Sequence, residues 1–246
     1  MELNKIYNGD CYELIKQIPD KSVDLVYIDI PYKFEQGGAS PSSNLAKQIR
    51  KERDLMKDAN LFDGINYTIF DELCRVMKNI YIYIWCSKEQ IYSIMKYFIE
   101  EKKCRLQLLV WCKTNPTPAT NGNWLPDLEY CLLFKDDGTP RYNDGYHLKS
   151  KYYISPINKK DKDLYKHPTI KPLDLVKRHI LHSTQPNDVV LDCFCGSGTT
   201  CVAAKETGRQ YIGIEIDKDY YKIAVDRLNG ISADGQTSIF TDFENL

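Results

Sequence analysis

The segment Val189-Val-Leu-Asp-Cys-Phe-Cys-Gly-Ser-Gly-Thr-Thr-Cys-Val-Ala-Ala204 passes from an apolar run through Gly196-Ser197-Gly198 into a stretch with helical character. It reads as a buried strand, a tight turn and the start of a helix. Glycine lets the backbone of such a turn approach a ligand closely, and the free N–H groups that open a helix favour an anionic group such as a carboxylate. A dinucleotide fold wants a third glycine three residues after Gly198, but that position is Cys201, and Thr199 and Thr200 bring hydroxyls to the helix start. The turn therefore suits a ligand with a small amino-acid end better than a diphosphate. On its own, a Gly-x-Gly turn is also what any sharp strand-to-helix connection needs.

Following the chain outward, Gln210-Tyr-Ile-Gly-Ile-Glu215 reads as the next strand and ends on an acid about 20 positions beyond the glycines. A carboxylate at that strand end can accept from both hydroxyls of a ribose, so Glu215 is the expected ribose ligand.

Upstream, short apolar runs alternate with helical spacing over nearly the whole chain, the pattern of a parallel sheet covered by helices on both faces. Strands are expected at 5–7, 24–28, 80–85, 106–112, 128–134, 189–193 and 211–214, and helices at 11–18, 71–78, 88–102, 173–183, 199–207 and 220–228. The polar, Pro-rich connection between 112 and 128 leaves no room for a crossover helix, so those two strands should pair antiparallel at one edge. The fold class expected is α/β: a doubly wound, mostly parallel, Rossmann-like sheet of seven strands with one antiparallel edge strand, in a single domain. Two segments break the alternation, a Gly/Ser-rich and then highly charged stretch over 35–64 and a Lys/Tyr/Asn-rich stretch over 141–166. Both adjoin motif-bearing segments and read as substrate-contacting regions.

Val23-Asp-Leu-Val-Tyr-Ile-Asp-Ile-Pro-Tyr32 is a strand whose C-terminal end carries Asp29, Ile30, Pro31 and Tyr32. Strand C-termini form the ligand crevice of a doubly wound sheet, so this loop should face the glycine turn. A carboxylate beside a backbone carbonyl, best placed at Ile30, can accept both hydrogens of an aromatic amine. That localises its lone pair for in-line attack, with positioning and electrostatics carrying the rate. Tyr32 offers a flat face for a base extruded from a nucleic-acid stack. Taken alone, Asp29 could be a strand-end cap and Tyr32 a rim aromatic.

Bulk properties neither add nor remove a nucleic-acid partner: 33 Lys and Arg against 34 Asp and Glu give a net charge of −1, so any such contact must be local. Nine cysteines, mostly inside apolar runs, read as reduced thiols of a cytoplasmic protein. Cys193 and Cys195 lack a second pair at zinc spacing, so no metal is expected. The polar N-terminus and the absence of a long apolar run point away from a signal peptide and a membrane span.

Together these motifs resemble the beta group of amino-methylating DNA methyltransferases of bacteria and phages, over about residues 3–230, with an Asp-Pro-Pro-Tyr-like loop first and a Phe-x-Gly-x-Gly loop second. The resemblance implies S-adenosylmethionine as cofactor and the exocyclic amine of a flipped adenine in DNA as acceptor. It also assigns roles. Asn8-Gly-Asp-Cys11 resembles the segment that meets the cofactor's adenine, through Asp10 and the Cys11 backbone. His167-Pro-Thr-Ile-Lys-Pro172 resembles a signature that puts Lys171 at the methionine end, and Asp192, Phe194, Gly196, Ser197, Gly198 and Thr199 match the cofactor loop, with Asp29 bordering both ligands. The region 114–165 corresponds to target recognition, with Lys149, Lys151, Tyr152, Tyr153, Lys159 and Lys160 suited to phosphate contacts and stacking. Because this region is short, a homodimer or the 35–64 insertion would complete DNA recognition. One departure stands out: Ile30 occupies the position where the family has proline, which implies a more flexible loop with a spare N–H donor.

Overall fold

A computed structural model of the chain describes residues 1–32, 64–116, 124–140, 149–157, 165 and 170–231. Eight strands form one sheet: β1 (Lys5–Asn8), β2 (Leu25–Asp29), β3 (Tyr81–Cys86), β4 (Arg105–Lys113), β5 (Leu128–Lys135), β6 (Tyr152–Ser155), β7 (Val189–Asp192) and β8 (Gln210–Glu215). Their order is β1-β8-β7-β2-β3-β5-β4-β6. Every neighbouring pair is parallel except those made by β5, which runs against both β3 and β4.

The expected fold class holds, with two corrections. An eighth strand, β6, pairs with the outer side of β4, in register from Val110↔Tyr152 to Lys113↔Ser155. Consequently the antiparallel strand is not at an edge: β5 lies inside the sheet, between β3 and β4. Its run Cys131-Leu-Leu-Phe134 is buried on both faces, as an internal strand requires.

The helices are α1 (Cys11–Leu14), α2 (Ile69–Val76), α3 (Ile91–Met95), α4 (Leu173–Ser183), α5 (Thr199–Glu206) and α6 (Lys218–Leu228). They divide the core into two layers. On one face Ile15, Phe70, Leu73, Ile94 and Phe98 cover Val26, Ile28, Ile82 and Ile84. On the other, Leu175, Val176, Ile180 and Ala203 cover Leu25, Tyr27, Tyr83 and Val190. Alternate residues of β2 thus enter opposite layers, so the strand is wholly apolar until Asp29. Packing on the second face is tight at Gly213 of β8, where a Cβ would stand 2.8 Å from Cys201 Sγ and 2.9 Å from Ile6 Cγ1. Among the described residues, no helix is long and apolar enough to cross a membrane.

Candidate active site

Because β1, β8, β7, β2 and β3 are parallel, their C-terminal ends open on the same side, and the loops that follow β1, β2, β7 and β8 line one cavity. Its walls include Asp10, Cys11, Asp29, Pro31, Lys171, Asp192, Phe194, Gly196, Ser197, Thr199 and Glu215. The two motifs lie some 165 residues apart in sequence, yet β2 and β7 are hydrogen-bonded neighbours.

The glycine loop is held by β8. Glu215, 8% exposed, accepts from Gly196 N–H at 2.7 Å with one oxygen and from Asp217 N–H at 2.9 Å with the other. Burial raises its carboxyl above the usual range. An ionised carboxylate offers about four acceptor sites, so two remain for hydroxyl donors. Gly198 has φ +77°, and a Cβ there would meet Ala224 Cβ at 2.9 Å, so neither the backbone nor the packing admits a side chain. Arg227, reaching from α6, donates to Thr199 Oγ1 at 2.7 Å and to the carbonyl of Ser197 at 3.3 Å. The sequence reading missed this buried arginine.

Asp192 closes β7 and accepts from Phe194 N–H at 3.1 Å. Burial pushes its carboxyl up to about 7, against the hydrogen bonds from Thr200 and Phe194 that favour the ionised form. Asp10 caps α1 by accepting from Tyr12 N–H at 2.9 Å while still lining the cavity. The segment around it is tied to β8 by Gly9 N–H on the carbonyl of Glu215 at 2.9 Å.

The second half of the site is built on ion pairs. Lys171, 8% exposed, sets its ammonium 2.5 Å from Asp29 Oδ2 and 3.0 Å from Glu129 Oε2, and donates to the Tyr32 hydroxyl at 3.2 Å. Glu129 in turn pairs with Lys113 at 2.6 Å. Two carboxylates and two ammonium groups thus form a chain that sums to zero charge. Burial opposes ionisation of Glu129, but Lys171 and Lys113 override it and hold its carboxyl down at about 2. Asp29 goes the other way: burial raises its carboxyl more than Lys171 lowers it. Its second oxygen, Oδ1, is buried without a hydrogen-bond partner, a costly condition for a carboxylate.

Lys171 also lies over the rings of Trp85 and Tyr32, at 5.2 and 5.5 Å from their centroids. The Trp85 ring is itself fixed, its Nε1–H donating to the Tyr27 hydroxyl at 2.8 Å, which meets His179 Nδ1 at 3.2 Å. Burial lowers His179 to about 3, so the imidazole is neutral.

Ile30 corrects an expectation. Its N–H is not spare: it donates to the carbonyl of Trp85 at 3.2 Å, adding one rung to the β2–β3 ladder, and its side chain is 2% exposed. The residue that replaces proline is tethered by the donor that proline would lack, so the loop gains an anchor rather than flexibility.

Of the residues expected to meet DNA, Lys149, Lys151 and Tyr152 are exposed, and Lys159 and Lys160 lie outside the described residues. Tyr153 faces inward, with Arg178 over its ring at 5.3 Å, and serves the packing of β6. Strand β6 sits four strand spacings, about 19 Å, from β2. The segment 35–63 and residues 167–169 of the expected signature also fall outside the described residues. Sequence reasoning overlooked Glu129, Lys113 and Gln90 as well. The one available signal was a glutamate one residue into an otherwise apolar strand.

A sequence profile of the family described as DNA methylase, N6_N4_Mtase, matches residues 23–226. The chain is similar to the type II methyltransferase M2.LlaDCHI of Lactococcus lactis subsp. cremoris, 33% identical over 238 residues that make up 91% of this chain and 88% of that protein. It is also similar to the type II methyltransferase M2.DpnII of Streptococcus pneumoniae, 32% identical over 91% of this chain and 88% of that one. Among solved structures, the M1.HpyAVI–SAM complex superposes with a TM-score of 0.64 at 27% identity, covering 91% of this chain and 98% of that one. Matched over most of its length by that profile and by these relatives, the chain belongs to the amino-methylating DNA methylases.

Proposed function

We propose that this protein transfers the methyl group of S-adenosylmethionine to the exocyclic amine of adenine in DNA, with Asp29, Ile30, Pro31 and Tyr32 as its catalytic loop. The observation that carries this reading is the buried, unpartnered Oδ1 of Asp29 in the cavity shared with the glycine loop. An incoming amine is the kind of donor that relieves such an orphaned acceptor. The Ile30 carbonyl takes the amine's other hydrogen, and the two acceptors together localise the lone pair on nitrogen. Lys171 favours the ionised form of Asp29, which is the better acceptor, and Tyr32 stacks on the flipped base.

The solved complex of M1.HpyAVI with SAM supports the choice of cofactor, and so do the residues here. Glu215 would take the ribose hydroxyls with its remaining acceptor sites, and Asp10 with the Cys11 backbone would hold the adenine. Asp192, Phe194, Gly196, Ser197, Gly198 and Thr199 would enclose the amino-acid end, where the Asp192 carboxylate suits an ammonium and the α5 N-terminus a carboxylate. Lys171 borders the methionine end as well as the base. Bound there, the cofactor supplies an electrophilic methyl on a sulfonium. DNA contacts fall to Lys149, Lys151 and Tyr152 together with Lys159 and Lys160, and a second copy of the chain would extend the short recognition region.

Incubation with methyl-labelled S-adenosylmethionine and mixed-sequence DNA, followed by digestion to nucleosides, tests this directly. N6-methyladenine is expected. Label found only in N4-methylcytosine would overturn the adenine assignment, and a monomer by ultracentrifugation with and without DNA would overturn the dimer.

A further inference from the structure

Gln90 lies in the turn that follows β3 and is 1% exposed. Its side chain makes two hydrogen bonds. Oε1 accepts from Ser87 N–H at 3.0 Å, and Nε2 donates to the carbonyl of Pro31 at 3.0 Å. The orientation of the amide is settled by its partners, since a backbone N–H can only meet the oxygen and a carbonyl can only meet the NH2 group.

Consider what this does to the loop. The peptide plane joining Asp29 to Ile30 is held through Ile30 N–H on Trp85, and the plane joining Pro31 to Tyr32 is held through the Pro31 carbonyl on Gln90. The plane between them carries the Ile30 carbonyl. It is flanked by two anchored planes, and the torsion that follows it is locked by the ring of Pro31. The Ile30 side chain is fixed in the core as well. The carbonyl is thus constrained from both sides.

We infer that Gln90 is a positioning residue of the methyl-transfer reaction, holding the Pro31 carbonyl so that the Ile30 carbonyl stays aimed at the acceptor amine. The inference rests on the reading of Asp29–Tyr32 as the catalytic loop. A neutral amide suits the task, because it adds no charge beside the Asp29–Lys171 pair.

Two variants separate this role from a merely structural one. Gln90→Glu keeps the acceptor for Ser87 N–H and removes the donor to Pro31, while Gln90→Met keeps the volume and removes both bonds. Both are expected to lower kcat by about 10- to 100-fold, the scale for a misaimed reacting group. Cofactor Kd by calorimetry and KM for cofactor should stay within about twofold, because the groups assigned to the cofactor's adenine, ribose and amino-acid end are on other loops. Asp29→Ala, assayed alongside, should bind cofactor and turn over nothing. If both Gln90 variants keep wild-type kcat while Asp29→Ala is inactive, the role of Gln90 is overturned and the catalytic loop stands. Loss of cofactor affinity in step with kcat in both variants would assign Gln90 to folding instead, and an active Asp29→Ala would remove the catalytic-loop reading itself.

Discussion

The ammonium of Lys171 sits 2.5 Å from Oδ2 of Asp29, and it shares itself with Glu129 at 3.0 Å. The division of labour matters. A lysine bound to Asp29 alone would neutralise the carboxylate that, in the function proposed, accepts from the substrate. Shared with a second acid, and with Lys113 balancing that acid, it favours the ionised form of Asp29 without consuming Oδ1.

Replacing Lys171 with methionine tests this arrangement. Asp29 and Glu129 would then face each other without the cation between them, and removal of one partner from a buried pair costs about 3–5 kcal/mol. Asp29 already stands above the ordinary carboxylate range because of burial, and loss of Lys171 takes it higher. Turnover needs the ionised form, so the acid limb of the pH–rate profile should move to higher pH. An unmoved acid limb in a folded variant would disconnect Lys171 from Asp29.

Asp192 gives a pH dependence of opposite sense to the usual carboxylate. Its folded value is about 7, whereas an exposed aspartate loses its proton near about 4. Between those values the folded state holds a proton that the unfolded state has released, so this group's contribution to stability falls as pH rises through the interval. Asp192→Asn should therefore melt higher than wild type at about pH 8 and bind cofactor more weakly, since the ligand's ammonium needs the ionised carboxylate. In wild type, cofactor affinity should climb through about pH 7. Calorimetry across that range decides the matter, and a flat profile would count against Asp192 as the ammonium partner.

Ile30→Pro restores the residue more usual at this position and should still be harmful. It deletes the N–H bound to Trp85, leaves that carbonyl short of a partner and removes a buried side chain, at a cost of about 2 kcal/mol or more. Thermal unfolding and kcat would both be measured. A variant that is more stable and faster would show that the loop was under-anchored after all.

Gly198→Ala places a Cβ where φ is +77° and Ala224 Cβ is 2.9 Å away. The loop and α6 must separate, at about 1–3 kcal/mol from the backbone conformation alone. Weakened cofactor binding by about tenfold or more is expected from displaced loop N–H groups. Unchanged affinity would mean that Gly198 serves only the packing.

What the sequence disclosed and what it withheld divide along locality. Val189–Ala204 announces strand, turn and helix within one window, and the wholly apolar strand ending on Asp29 announces a crevice position; both depend on near neighbours only. Glu129 belongs to the site through pairings that no local window contains. It faces Trp111 across the β4–β5 ladder, which brings Lys113 within reach, while Lys171 arrives from the segment before α4. The placement of β5 failed for a related reason: a strand is internal or external according to what joins later, and β6 is only the four residues Tyr152–Ser155, whose types do not alternate between apolar and polar. Ile30 was misread because the partner of its N–H is on another strand. Lys171 was placed at one ligand by resemblance, whereas its nearest charges belong to the other half of the cavity.

The rung between Ile30 N–H and Trp85 has a further meaning for the way this enzyme moves. Strand β2 is flanked by β7 and β3 and lies in the middle of the buried sheet, so its amides open only when the molecule as a whole unfolds. Ile30 extends that protection into the loop. In a hydrogen-exchange experiment its amide should exchange as slowly as those of Val26 and Ile28, on the time scale of global opening. The acceptor groups at Asp29 and Ile30 are then part of the rigid frame before any substrate arrives, and the motions that admit DNA must take place around them.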